Sequence, residues 1–186
     1  MMERIAETSP SPRARITGVA YLLYFLTAVS SEVFVGQGRL VLFDAVNLIA
    51  DALYIAVTLL FYYLFKPVNR SLSLLAALFS LAGCANDVLG LLNLAPYKIS
   101  SLVFFGPYCL LLGYLIFRST FLPRILGVLM AFAGLGWLIF LTPLANHLST
   151  YLKVLGFLAE LSLMLWLIVK GVNEQRWKEQ ASPAVA

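Results

Sequence analysis

Residues 101–144 read SLVFFGPYCLLLGYLIFRSTFLPRILGVLMAFAGLGWLIFLTPL, and the only charged side chains among them are Arg118 and Arg124. Two apolar runs, Ser101–Phe117 and Leu122–Leu144, flank a short basic turn that contains Pro123. A helix that crosses a bilayer needs about 20 predominantly apolar residues, and both runs are of that order. A turn this short makes them antiparallel neighbours. The pattern continues outward in both directions. Ile16–Val35, Asp44–Phe65 and Leu72–Leu94 precede the pair, and Tyr151–Val169 follows it. The linkers carry the breakers: Gly36 and Gly38, Pro67 and Asn69, Pro96, then Asn146 and His147. The predicted fold is an all-α, six-helix transmembrane bundle with short loops. Residues 1–15 form a cytoplasmic N-terminal segment, 16–171 a single transmembrane domain and 172–186 a cytoplasmic tail. Strand-like alternation of the kind a membrane barrel needs is absent.

Composition excludes the alternatives. The chain has 186 residues, 61% hydrophobic and 12% charged, with a mean hydropathy of +0.90. Soluble domains carry about 25% charged residues, so half the usual charge cannot cover a water-facing surface. An aromatic content of 13% argues equally against disorder. The formal charge of +4 suggests no nucleic-acid partner, because the basic residues flank spans instead of forming a stripe. Their distribution sets orientation. Arg4, Arg13, Arg15, Lys66, Arg70, Arg118, Arg124, Lys170, Arg176 and Lys178 fall on one side; Arg39, Lys98 and Lys153 fall on the other. Positive residues stay inside, which places both termini in the cytoplasm.

Two further patterns need weighing. Ala28-Val29-Ser30 after a basic, then apolar, segment has the form of a signal-peptide cleavage site. The apolar run continues through Val33, Phe34 and Val35, which favours a retained first span. Tyr63-Leu64-Phe65-Lys66 and Leu115-Ile116-Phe117-Arg118, each before a Pro-containing turn, echo one another. A duplicated hairpin and independent selection for a basic turn explain this equally well, and neither is an inverted transporter repeat.

Several stretches then read together: Ser11-Pro12-Arg13, the run Leu64-Phe65-Lys66-Pro67-Val68-Asn69-Arg70-Ser71-Leu72, Phe104-Phe105-Gly106 and Leu111-Leu112-Gly113-Tyr114-Leu115. Phe121-Leu122-Pro123-Arg124-Ile125-Leu126-Gly127-Val128-Leu129 and Leu165-Trp166-Leu167-Ile168-Val169-Lys170-Gly171-Val172 complete the set. Over residues 11 to 180 the chain resembles the bacterial "domain of unknown function 4386" family. The resemblance implies a polytopic bacterial inner-membrane protein and implies no activity or cofactor. The connection around Gly36–Phe43 is shorter than in the family pattern. Many members have His where Tyr108 stands, so no His-based site carries over. Glu32 and Glu160 fall at positions resembling family acidic positions.

Ionisable residues in lipid are costly, and they face the protein interior, water or one another. Glu32 and Asp44 lie near the outer surface and form a candidate rim, with Arg39 nearby. Asp51 lies about 10 Å into the second span and Glu160 about 13 Å into the sixth, at 1.5 Å rise per residue. Asp87 belongs to the same outer half. Asp44, Asn47 and Asp51 share one helix face by their i, i+3, i+7 spacing. Ser73, Ala76, Ser80, Gly83, Asp87 and Gly90 form a small or polar stripe that turns Asp87 toward the bundle. One reading is an outward-facing acidic pocket built from Asp51, Asp87 and Glu160, with Asn47 and Asn86. The other makes each acid structural: protonated, or hydrogen-bonded to Asn47, Asn86, Ser162 or a tyrosine.

Gly106, Gly113, Gly127 and Gly134, spaced by seven, read as packing seams, and no phosphate-loop pattern occurs. His147 stands alone in the last outer loop. Cys84 and Cys109 lack C-x-x-C spacing and form no zinc set. Each lies 12.5 residues from the turn centre between Pro96 and Tyr97, so they sit level on adjacent helices. That suits a redox thiol pair as well as two buried small side chains. No metal or cofactor is expected, and the bilayer is the assured partner. Three functions stay open: binding or moving a small cation, proton or polar solute; a non-catalytic accessory subunit with an unidentified partner protein; and an intramembrane enzyme using carboxylates or the thiols.

Overall fold

The computed structural model describes residues 10–31, 40–94 and 100–182. Among them are seven α-helices and no strand: α1 Pro10–Ser30, α2 Leu40–Phe65, α3 Arg70–Leu91, α4 Leu102–Arg118, α5 Arg124–Leu138, α6 Ala145–Val169 and α7 Glu174–Ala181. A 3-10 turn, Ile139–Leu141, extends α5. The boundaries follow local chemistry. Pro67 cannot continue α2, and the Asn69 side chain caps α3 by accepting from the Leu72 N–H at 2.9 Å. Asn93 takes φ +56°, and the Leu94 N–H closes back on the Leu89 carbonyl at 2.8 Å. Gly171, at φ +65°, ends α6 in the left-handed conformation that glycine adopts without strain.

Among the described residues four helices are long and apolar enough to cross a membrane: Leu42–Phe65, Arg70–Leu91, Arg124–Leu141 and Ala145–Val169. The helices of the other two apolar runs, α1 and α4, do not meet this measure over the described residues. The fourth helix has 17 residues, and the first carries Arg13 and Arg15 in its opening turns. Element ends differ as well. The first helix begins at Pro10, not Ile16, and the sixth at Ala145, not Tyr151. Asn146 and His147, read as a loop, form the exposed first turn of α6. Hydropathy marks where lipid begins, whereas a helix continues past that level as long as its polar side chains face water.

The six long helices pack in chain order, each against the next, and α6 returns to α1. The result is a closed ring around a core that includes Tyr21, Tyr54, Tyr108, Met130, Leu163 and Met164. Two glycine pairs hold α4 against α5. A Cβ on Gly113 would lie 2.7 Å from the Gly127 carbonyl oxygen, and one on Gly127 would lie 2.6 Å from that of Gly113. Gly106 and Gly134 repeat the arrangement two turns away, the latter 2.8 Å from the Gly106 carbonyl oxygen. Gly18 does the same for α1 on α6, 2.9 Å from the Ile168 nitrogen. Small residues let the backbones touch, which is the main attraction available between helices that no hydrophobic effect drives together.

Lys66, Arg70, Arg118, Arg124 and Lys170 lie at helix termini on one end of the ring, termed the basic end. The short α7 docks there. Its cap, Asn173, accepts from the Arg176 N–H at 3.1 Å. The Trp177 indole N–H reaches the Leu64 carbonyl at 3.0 Å, and Arg176 donates to the Thr120 carbonyl at 3.2 Å. Glu174–Ala181 of the tail is therefore a helix seated on the ends of α2 and α4.

Candidate functional site

In the half of the ring away from the basic end, the helices enclose a partly open cavity of about 570 Å³. Its position follows from the chain order. Tyr24 and Val29 come from the second half of α1, Tyr54 from mid-α2 and Asp87 from late α3; Phe105 opens α4, Trp137 closes α5, and Lys153, Phe157 and Glu160 lie on α6. Asp87 and Glu160 thus face one space. Glu160 is fifteen residues past Ala145 and nine before Val169, so it sits near the middle of its helix and deeper than a start at Tyr151 implies. The Tyr21 hydroxyl, also mid-helix, donates to Glu160 Oε2 at 2.6 Å and ties α1 to α6.

The remaining acids and amides are distributed around this space. Asp87 accepts from the Ser101 hydroxyl, and Asn86 donates to Ser101 Oγ at 2.8 Å, joining α3 to the start of α4. Asp51 lies close enough to Asp87 to feel its charge. Its Oδ2 is buried with no hydrogen-bond partner, and it is not among the cavity's lining residues. Tyr24 stands within electrostatic reach of Glu160, Asp51 and Asp87 together. Asn47 fastens α2 to Ser31 Oγ at 2.9 Å and to its own helix at the Phe43 carbonyl at 2.9 Å. Asp44 is half-buried in the second turn of α2. Glu32 and Arg39 lie outside the described residues. Cys84 and Cys109 are both buried with free thiols. Cys84 lies within electrostatic reach of Asp51 and Asp87, while Cys109 lies beside the Trp137 indole.

Two groups at this site were not singled out from sequence. Lys153, counted only as an outer-loop charge, lines the cavity. It stands seven residues before Glu160, two turns along the same face, and that spacing was the available signal. Tyr21 carried no signal beyond being one of several tyrosines in a span, since its partner comes from 139 residues away. Among the described residues no group of three or more His, Cys, Asp or Glu is arranged to hold a metal ion.

A family model described as "Domain of unknown function (DUF4386)" matches residues 96–171. An Archaeoglobus fulgidus protein, "Uncharacterized protein", is 33% identical over 126 residues, which cover 63% of this chain and 76% of the relative. The chain belongs to the DUF4386 family. No solved structure matches it. The family segment spans α4 to the end of α6, with both glycine pairs, Trp137, Lys153 and Glu160 inside it. The walls supplied by Tyr24, Tyr54 and Asp87 lie outside that segment.

Proposed function

We propose that this DUF4386 protein is a six-span protein of the cytoplasmic membrane, the bacterial inner membrane in the family's usual setting. In this reading it binds or moves a small cation, proton or polar solute through the acidic cavity. The observation that carries the proposal is the convergence of Asp87 and Glu160 on one cavity of about 570 Å³, in the half away from the basic end. Positive residues remain on the cytoplasmic side, so the cavity belongs to the outer half and the termini to the cytoplasm. Two features support α1 and α4 as additional spans. Ile16, Val19, Leu23 and Leu26 form an exposed apolar stripe along α1. The apolar α4 is locked to α5 along its length by the glycine pairs.

Glu160→Gln tests the reading. In the purified protein, wild type should give a saturable tryptophan-fluorescence response to a monovalent cation or to pH. The variant should keep its helical circular dichroism and lose that response. A wild type silent to sodium, potassium, tetramethylammonium and pH alike would refute the proposal.

The hydrogen bonds favour one competitor. Tyr21 to Glu160 and Ser101 to Asp87 are interhelical fasteners, as a purely structural accessory subunit would use. Under that reading Glu160→Gln is silent, whereas Glu160→Leu loosens the bundle by leaving Tyr21 unpaired.

A further inference from the structure

The cavity wall is more selective than its two acids. Tyr24, Phe25, Tyr54, Phe105, Trp137 and Phe157 all face it. Their rings brace one another: Tyr24 on Tyr54 at 4.6 Å, Tyr54 edge-on to Phe105 at 5.1 Å, Phe25 edge-on to Phe157 at 5.3 Å. An inorganic cation asks for a close shell of oxygens, about six to eight for calcium. Here Tyr21 and Ser101 already engage the two carboxylates, and the rest of the wall is largely carbon. A volume of about 570 Å³ suits an organic molecule and is far larger than a bare ion needs. Ring faces attract a cation whose shell is methyl or methylene, and a nearby carboxylate adds charge pairing. Lys153 at the rim sets a limit on charge, because a second positive charge on the ligand would meet it.

We infer that the cavity takes a singly charged organic ammonium with an apolar body, held by the aromatic wall and by Glu160 and Asp87. The inference rests on the reading of this cavity as a cation site. The ammonium belongs either to a free amine or to a lipid headgroup, and the two are separable.

The test is isothermal titration calorimetry of the full chain in dodecyl maltoside, a detergent without ammonium groups. The probes are benzyltrimethylammonium, its neutral carbon isostere neopentylbenzene, sodium chloride and short-chain phosphatidylcholine. Saturable binding of benzyltrimethylammonium, with none of the neutral isostere or sodium, is expected. Glu160→Gln and Asp87→Asn should each weaken it about tenfold, the factor that 1.4 kcal/mol of lost charge pairing gives. Phe157→Leu, at a half-exposed wall position, should weaken it too and serves if the acid variants do not fold. Tighter binding of the phosphatidylcholine would support the inference with a headgroup as the source. Sodium binding without ammonium binding would overturn the inference and leave the broader cation reading standing. Equal binding of the neutral isostere, or no binding of any probe, would overturn the inference, and the broader reading falls only if the fluorescence test is silent as well.

Discussion

Adding one methyl group at Gly113 should separate α4 from α5. The new Cβ would lie 2.7 Å from the Gly127 carbonyl oxygen and 2.9 Å from the Ala131 nitrogen. Ordinary contact begins at 3.4 Å, so the shortfall against the oxygen is 3.4 less 2.7, or 0.7 Å. Both obstacles are backbone atoms, and no rotamer change relieves them. The helices must part, and Gly106 against Gly134 on the same seam must part with them. A gap of that size forfeits about a quarter to a half of each dispersion contact along the interface. Overpacking of this kind costs about 1–3 kcal/mol. For a chain of this length that lowers Tm by about 2–12 °C. Gly90→Ala is the control: its Cβ would meet nothing within 4 Å, and alanine improves helix propensity by about 0.5–1 kcal/mol. Thermal unfolding in detergent, followed by circular dichroism, reads both. A Gly113→Ala protein that melts with wild type would refute the claim that backbone contact holds this pair together. The double variant Gly113→Ala/Gly127→Ala should cost less than the sum of the singles, because one separation accommodates both methyls.

Trp177→Phe removes the hydrogen bond to the Leu64 carbonyl, worth about 1 kcal/mol, and should speed proteolysis of the tail while leaving the melting of the ring unchanged. Cys84 and Cys109 should resist a membrane-permeant maleimide in the folded protein and react fully in dodecyl sulfate; prompt labelling of the native state, or a mass shift on reduction, would revive the redox pair. Reporter fusions at Asn69, Leu122 and the C-terminus should all score cytoplasmic, and an external score at either internal turn would overturn the proposed topology.

Depth was legible in the sequence, and rotation was not. Gly106 with Gly134 and Gly113 with Gly127 are each symmetric about residue 120, so the hairpin must set them level. Spacing by seven keeps each pair on one face, and that they meet follows once small residues are taken to seek the closest contact. Cys84 and Cys109 satisfy the same symmetry about their own turn. Yet one thiol lies within electrostatic reach of Asp51 and Asp87, and the other lies beside Trp137. Nothing in their spacing shows how each helix turns about its axis. The same limit applied in part to the acids: the stripe from Ser73 to Gly90 turned Asp87 toward the bundle, but nothing fixed Asp51 relative to it. All three were placed by depth, but only Asp87 and Glu160 line the cavity, and the Tyr21 that holds Glu160 comes from a helix distant in sequence. The first turn of α6 was obscured for a different reason: it sits where the apolar signal has faded while the helix continues.

The cavity itself follows from how small and large residues are partitioned. At Gly18, Gly113 and Gly127 glycine meets backbone on the neighbouring helix, or nearly so, and the space between those helices closes. At Gly83 and Gly156 glycine meets a ring instead. A Cβ on Gly83 would lie 3.0 Å from the Phe105 ring, and one on Gly156 would fall inside ordinary contact with the Trp137 indole. Both rings belong to the cavity wall. Each is seated in a recess of the adjacent helix, so part of its bulk is taken up between helices while the ring still lines the space. Had these two positions carried ordinary side chains, Phe105 and Trp137 would be pushed inward and the ring of helices would fill with its own aromatics. Glu160, one turn past Gly156, lines the same space. The glycines therefore do two jobs, closing the ring along the α4–α5 seam and setting back the walls around the acids.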